Sequence, residues 1–144
     1  MEKICTSLVQ SYKLLKFKFD ASTADMCWAT ELFGESLPDW RILCMSSEEY
    51  TNSEGRWTAI PAWSVPALTK LVTDGIKFPA DIRLNFCKAK QASRNKYNYH
   101  VRCTFINKVA SGCTWREDLY TGKHEELLDA MFELVCMMKN NQFL

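Results

Sequence analysis

Two adjacent stretches decide the fold: "IRLNFCKA" at residues 82–89 and "YNYHVRCTF" at residues 97–105. In both, apolar or aromatic residues alternate with polar ones, which is the two-residue period of a β-strand with one buried face. The polar segment "KQASRN" at residues 90–95 joins them, so the pattern predicts an antiparallel hairpin with one face in solvent. The alternation assigns Tyr97 and Tyr99 to the same side as Val101 and Phe105.

Further short strands are predicted on both sides of this hairpin. "WRILCMS" at residues 40–46 and "RWTAI" at residues 56–60 are apolar runs separated by turn-forming residues, which predicts a second, looser hairpin. Residues 113–120 add a strand that ends before Gly122. Together these segments predict a small antiparallel sheet of about four or five strands.

Two N-terminal helices are predicted from spacing and capping signals. Within residues 2–15, apolar side chains recur three and four positions apart, the period of a helix with one buried stripe. They are Ile4, Leu8, Tyr12 and Leu15. The stretch "STAD" at residues 22–25 places a carboxylate three residues after a hydroxyl, and this helix-start pattern predicts a short helix through Trp28.

The strongest helical pattern lies at residues 123–140. Its apolar residues form a broad face that we expect to pack on the sheet. They are Leu127, Leu128, Met131, Phe132, Val135 and Met138. The predicted fold class is therefore α+β: a small antiparallel sheet packed against N-terminal helices and a C-terminal amphipathic helix, in a single domain spanning residues 1–144.

The stretch "IPAWSVPALTKL" at residues 60–71 predicts a rigid corner between a strand and a helix. Pro61 lacks the amide that a ladder needs and is expected to end the strand. Ser64 can cap a helix in which Pro66 occupies the first turn, where a missing amide costs nothing. We expect Trp63 to be the packed anchor of this corner, and the alternative is a tryptophan that binds a ligand.

Composition and cysteine usage predict a globular protein in the cytoplasm. Hydrophobic residues make up 47% of the chain and charged residues 24%, which is typical of a globular domain. The seven cysteines have no paired spacing, so reduced thiols in a cytoplasmic protein are expected. The N-terminus lacks the apolar run of a secretory signal, and no uncharged run is long enough to span a bilayer, so we predict an unexported protein without a membrane partner.

No motif for a cofactor, a metal or a catalytic nucleophile is recognisable, so we predict that the protein is not an enzyme. The chain has no CxxC pair, and neither histidine has the spacing of a zinc ligand. Thiol catalysis would require Cys87, Cys103 or Cys113 beside His100 or His124, with a third group orienting the imidazole.

The leading functional hypothesis is a non-enzymatic module that binds another protein. The apolar face of the C-terminal helix is wider than one sheet face needs to cover, which favours an interaction surface there. Its expected residues are Met131, Leu134, Met137 and Met138. The partner is a protein of unknown identity or a second copy of this chain.

The alternative hypothesis is nucleic-acid binding by the basic hairpin at residues 83–102. Residues 77–108 carry eight basic residues and one acid, a net charge of +7, whereas the remainder has ten basic and sixteen acidic residues, a net charge of −6. Tyrosines interleave with the basic residues, as on a single-strand binding surface. The expected residues are Arg83, Lys88, Lys90, Arg94, Lys96 and Arg102. A plain solvated hairpin, whose lysines protect a sheet edge from aggregation, explains the same charges.

Three stretches, in this order and spacing, resemble a known family: "SLVQSYKLL" with "STADMCW", then "IPAWSVPALTKLV", then "LLDAMFELVCMMKNNQ". The family comprises small uncharacterised proteins encoded by phages, prophages and other mobile elements of Bacteroides-type gut bacteria. The resemblance implies a cytoplasmic accessory protein of a mobile element, and it leaves the partner open.

Overall fold

A computed structural model describes residues 2–31, 39–47, 57–77, 80–92, 95–108 and 114–144. The fold is α+β, as the sequence predicts: the described residues form three α-helices and two antiparallel sheets of three strands each. The chain divides into two compact units, residues 4–67 and residues 68–144 with residues 1–3. The strands therefore form two sheets, where the sequence pattern predicted one.

In the N-terminal unit, strand β1 (Met26–Glu31) lies between β2 (Arg41–Leu43) and β3 (Trp57–Ala62) and pairs antiparallel with both. The hairpin predicted between β2 and β3 is therefore wrong, because β1 separates them. The short helix predicted from Ser22 is also wrong. A single 3₁₀ turn, Ala21–Thr23, leads directly into β1 instead.

Strand β1 escapes sequence analysis because it is buried on both faces. Met26, Cys27, Ala29 and Thr30 are all buried, so the strand shows no alternation of polar and apolar residues. The carboxylate of "STAD" also has another partner: Asp25 Oδ1 accepts the Ser64 N–H at 2.9 Å. The Asp20 carboxylate accepts the Ser22 N–H at 2.9 Å, which caps the 3₁₀ turn.

Helix α1 (Leu8–Lys16) begins later than the apolar spacing predicts. Ser7 caps it through a capping box with Gln10, in which each side chain bonds the other residue's main chain. The preceding residues are not helical because they are held elsewhere: the Thr6 N–H donates to the Trp63 carbonyl at 2.9 Å. The Thr6 carbonyl in turn accepts the indole N–H of Trp28 at 2.8 Å.

Trp63 is the buried anchor of the corner, as predicted. Its side chain has 0% exposure, and its indole N–H donates to Thr23 Oγ1 at 2.9 Å. The following Ser64 hydroxyl accepts the Ala67 N–H at 3.3 Å and so caps helix α2 (Val65–Asp74). Pro61 does not end β3, which continues to Ala62; the strand lies at the edge of its sheet, where a proline is tolerated.

The C-terminal unit contains β4 (Asp81–Lys90), β5 (Tyr97–Lys108) and β6 (Thr114–Tyr120) in that spatial order. The predicted hairpin is confirmed: β4 and β5 pair antiparallel over the full length of β4, in one constant register. Helix α3 (Leu127–Asn140) packs on β5.

The core of this unit lies between β5 and α3. Val101, Cys103 and Phe105 all have 0% exposure and lie on one face of β5. The Phe105 ring stacks on Phe143 with 4.8 Å between ring centres. Helix α3 begins four residues later than predicted, because His124 is held in an extended main-chain pairing with β5.

Candidate nucleic-acid interface

The β4–β5 register places aromatic and lysine side chains together at the turn end of the hairpin. Lys88 lies directly opposite Tyr99, and Lys90 lies directly opposite Tyr97. Residues directly opposite in an antiparallel pair share a face, as do every second residue along a strand. This face therefore also carries Phe86, opposite the buried Val101. We call Phe86, Lys88, Lys90, Tyr97 and Tyr99 the aromatic–lysine surface.

Two of the three rings in this surface are open to solvent. Phe86 is 47% exposed and Tyr97 is 43% exposed, while Tyr99 is half-buried. Both lysines are exposed. The Lys88 ammonium lies 4.2 Å from the centre of the Tyr97 ring and 5.6 Å from that of Tyr99. The cation is thus held beside the two tyrosines by cation–π attraction while it remains accessible to an anion.

The main chain under this surface is paired on both sides. Beyond the end of β6, Tyr99 forms a β-bridge with His124: its N–H donates to the His124 carbonyl at 2.6 Å, and its carbonyl accepts the His124 N–H at 2.8 Å. At the turn, the Gln91 N–H donates to the Lys96 carbonyl at 2.9 Å. The Gln91 side-chain amide donates to Asn98 Oδ1 at 2.7 Å.

The other face of the hairpin carries two of the predicted basic residues, Arg83 and Arg102. With its amide oxygen turned toward Arg102, Asn85 accepts from Nη2 at 2.9 Å and from Nε at 3.3 Å. The Arg102 guanidinium is therefore already partly engaged within the sheet.

That second face also carries an acid. The Thr104 hydroxyl donates to Asp118 Oδ1 at 2.6 Å, and Arg116 Nη2 lies 3.6 Å from Asp118 Oδ2. The hydrogen bond from Thr104, with the nearby Arg116 and Arg102 charges, lowers the pKa of the Asp118 carboxyl below its ordinary value. A carboxylate that is ionised at neutral pH beside the arginines makes this face less attractive to a polyanion than the aromatic–lysine surface.

The six basic residues predicted to bind nucleic acid therefore do not share one face. Lys88 and Lys90 lie on the aromatic–lysine surface, and Arg83 and Arg102 lie on the opposite face. Lys96 is exposed just before β5. Arg94 lies outside the described residues.

The α3 residues predicted to bind a protein partner are mostly in the core. Met131, Leu134 and Met138 have 0% exposure, and Met137 is half-buried. Their apolar surface is already covered within this chain.

The cysteine and histidine candidates meet only part of the requirement for thiol catalysis. Cys87 lies directly opposite His100 on the second face, and both are half-buried. Within the described part of the chain, the structure gives the His100 imidazole no hydrogen-bonded group to orient it, and no three His, Cys, Asp or Glu side chains could hold a metal. Cys103 is buried, which raises its pKa to about 12, and Cys113 lies outside the described residues.

Comparison with known proteins gives no relative: no family model, no curated protein and no solved structure matches this chain. The resemblance to mobile-element proteins therefore stays a prediction. No helix among the described residues is long and apolar enough to cross a membrane.

Sequence analysis missed Phe86 as an exposed residue, because its position in the alternation assigns it to the buried face. Helix α3 packs on β5, where Val101 opposite Phe86 has 0% exposure, whereas no residue of β4 is fully buried. The pairing of Lys88 with the tyrosines was also not visible, since it depends on the register across "KQASRN". With that register known, the sequence would have placed Lys88, Lys90, Tyr97 and Tyr99 on one face.

Proposed function

We propose that this protein binds single-stranded nucleic acid through the aromatic–lysine surface. The observation that carries the proposal is the exposure of the Phe86 and Tyr97 rings on the same face as Lys88 and Lys90. Surfaces that bind single strands combine cationic side chains for the phosphates with aromatic rings on which bases stack.

Charge supports this assignment. The hairpin region, residues 77–108, has a net charge of +7 in a chain whose total is +1, so its field favours a polyanion there. Lys88, Lys90 and the nearby Lys96 are exposed. Each phosphate that they neutralise would release counterions, so binding should weaken as salt is added.

The rings favour a single strand over a duplex. A base can stack on the Tyr97 or Phe86 ring only if its face is free, and in a duplex both faces of a base are covered by its neighbours. Phe86 lies four residues from Lys90, the residue opposite Tyr97, so at about 3.4 Å per residue the two ring positions are about 14 Å apart along the hairpin. Bases from one short strand could contact both rings.

The test is a titration of labelled oligo(dT) and a matched duplex at low and moderate salt. The wild type is compared with a triple variant, Lys88→Glu, Lys90→Glu, Lys96→Glu. We expect the wild type to prefer the single strand, with a log–log salt slope of about −0.7 for each phosphate contacted. The triple variant should lose the binding.

A matched control reverses three exposed lysines elsewhere: Lys16→Glu, Lys18→Glu, Lys70→Glu. It changes the net charge equally but leaves the aromatic–lysine surface intact, so it should retain most of the affinity. Equal loss in both variants would show that only total charge matters. No wild-type binding at low salt would remove the proposal.

A second candidate is a protein-binding module, and a different surface supports it. Since the predicted α3 residues are buried, the support now comes from the N-terminal unit, where Ile4 is 55%, Val9 79% and Tyr12 51% exposed. Val9 and Tyr12 are three residues apart on α1 and thus share a helix face. We propose a second copy of this chain as the partner of this face.

Sedimentation of wild type and of a Val9→Lys, Tyr12→Lys variant tests self-association. A concentration-dependent dimer that the variant abolishes is expected, whereas a monomer at several hundred micromolar would contradict it.

In either case we propose a cytoplasmic, non-enzymatic accessory protein of a mobile element. Free thiols at Cys5, Cys27 and Cys103, and the family resemblance, support that assignment.

A further inference from the structure

The carboxylate of Glu133, on helix α3, is bonded to the segment that follows β6. It accepts the Gly122 N–H, with distances of 3.1 Å to Oε2 and 3.3 Å to Oε1. It also pairs with the imidazole of His124. A single side chain of the helix therefore fixes two residues of a short connecting segment.

The same segment holds β5 at the aromatic–lysine surface. His124 exchanges two main-chain hydrogen bonds with Tyr99, and Thr121 accepts the Val101 N–H on its hydroxyl at 2.8 Å. The Thr121 N–H donates to the Val101 carbonyl at 3.0 Å. Neither His124 nor Glu133 belongs to the surface, yet the pairing of Tyr99 depends on where His124 lies.

We infer that Glu133 is a positioning residue for the aromatic–lysine surface. By holding Gly122 and His124, it keeps the outer side of β5 paired at Tyr99 and so fixes the tyrosine ring next to the Lys88 ammonium. A surface fixed before the ligand arrives loses less conformational entropy on binding. This inference rests on the proposed nucleic-acid function, which it extends to a residue outside the contact surface.

If Glu133 positions Tyr99, replacing it should change the affinity for nucleic acid in the direction opposite to that expected from charge alone. Replacing Glu133 by alanine removes a negative charge, and a protein with one acid fewer should attract a polyanion more strongly. If the carboxylate positions Tyr99, the same replacement should weaken binding. Glu133→Gln separates the two effects, because it removes the charge but keeps an oxygen that can accept the Gly122 N–H.

The experiment measures oligo(dT) affinity and salt slope for wild type, Glu133→Ala and Glu133→Gln. Glu125→Ala is the control, since it removes an exposed acid next to the same segment. We expect Glu133→Ala to bind about fivefold more weakly with an unchanged salt slope. Glu133→Gln should stay within about twofold of wild type, and Glu125→Ala should bind equally or more tightly.

Amide hydrogen exchange supplies a readout that does not need the ligand. Glu133→Ala should accelerate exchange at Tyr99, while Phe143, whose N–H bonds the Met138 carbonyl at 2.8 Å, serves as the reference amide. If Glu133→Ala fails to fold, His124→Ala provides the same two readouts with the helix intact. Unchanged exchange at Tyr99, or tighter binding by Glu133→Ala and Glu133→Gln alike, overturns the inference. Absent wild-type binding with faster Tyr99 exchange would reject the proposed function alone.

Discussion

The Lys88 ammonium lies 4.2 Å from the centre of the Tyr97 ring, across the β4–β5 hairpin and two residue pairs closer to the turn. At an exposed site such a cation–π contact contributes about 0.5–1 kcal/mol. Its consequence here is positional, because it restrains a long lysine side chain next to a ring that is 43% exposed. Lys88 and Tyr97 together thus offer a phosphate contact and a stacking face.

Replacing Tyr97 separates stacking from charge. Tyr97→Ala should weaken single-strand binding by about 1–3 kcal/mol, because a base loses its stacking partner. Tyr97→Phe keeps the ring and should bind nearly as wild type. Neither change removes a cation, so the salt slope should be the same in all three proteins, as measured by fluorescence anisotropy over a range of salt concentrations. Equal affinity of Tyr97→Ala and wild type would show that the ring does not contact a base.

The elements predicted correctly from the sequence are those whose buried residues recur with a single helical or strand period. β5 and α3 each bury one face, and β4 half-buries Ile82 and Leu84 on one face, so their alternation or three-four spacing is visible in the residues. β1 is buried on both faces, and its first residues follow a plausible helix cap at Ser22, so the local pattern predicts a helix there. The order β2-β1-β3 could not be predicted either, because strand neighbours depend on tertiary packing rather than on local pattern.

The candidate site was predictable only in part. The excess of basic residues in the hairpin is a property of the sequence, and so is the side on which the tyrosines lie. Which lysines join them depends on register, and which rings remain exposed depends on where the core ends. The width of the apolar face of α3 is likewise visible in the sequence, but the sequence does not show that most of this face is buried within the same chain.

The burial of Trp63 makes a stability prediction. Trp63→Ala should lower the free energy of unfolding by about 3–5 kcal/mol, because it leaves a cavity and removes the partner of Thr23 Oγ1. Trp63→Phe should cost less, since most of the ring volume remains. Urea denaturation followed by circular dichroism measures both changes. A loss below about 1 kcal/mol for Trp63→Ala would contradict the role of this side chain as the anchor of the corner.

The cysteines should differ sharply in reactivity. Burial is the largest cause that raises the pKa of Cys5 to about 11 and that of Cys103 to about 12, so neither forms the reactive thiolate near neutral pH. Cys44 is exposed and Cys87 is half-buried. Among the cysteines that the structure describes, iodoacetamide labelling of the folded protein, mapped by mass spectrometry, should modify Cys44 first and Cys87 next. Labelling of Cys103 as fast as Cys44 would be incompatible with its buried position.

The Thr104–Asp118 hydrogen bond makes a prediction about acid stability. The bond stabilises the Asp118 carboxylate, so its pKa in the folded protein lies below the ordinary 3.8. A group with a depressed folded pKa stabilises the fold above its unfolded pKa and loses that contribution as the pH falls through the folded value. Thr104→Val removes the donor, so the Asp118 pKa should rise. The free energy of unfolding that is lost as Asp118 becomes protonated should then shrink. Thr104→Ser should preserve the low pKa and the full acid-dependent loss. Carboxyl ¹³C NMR titration of Asp118 measures the pKa directly. Identical titration curves for wild type and Thr104→Val would show that the Thr104 hydroxyl does not lower the Asp118 pKa.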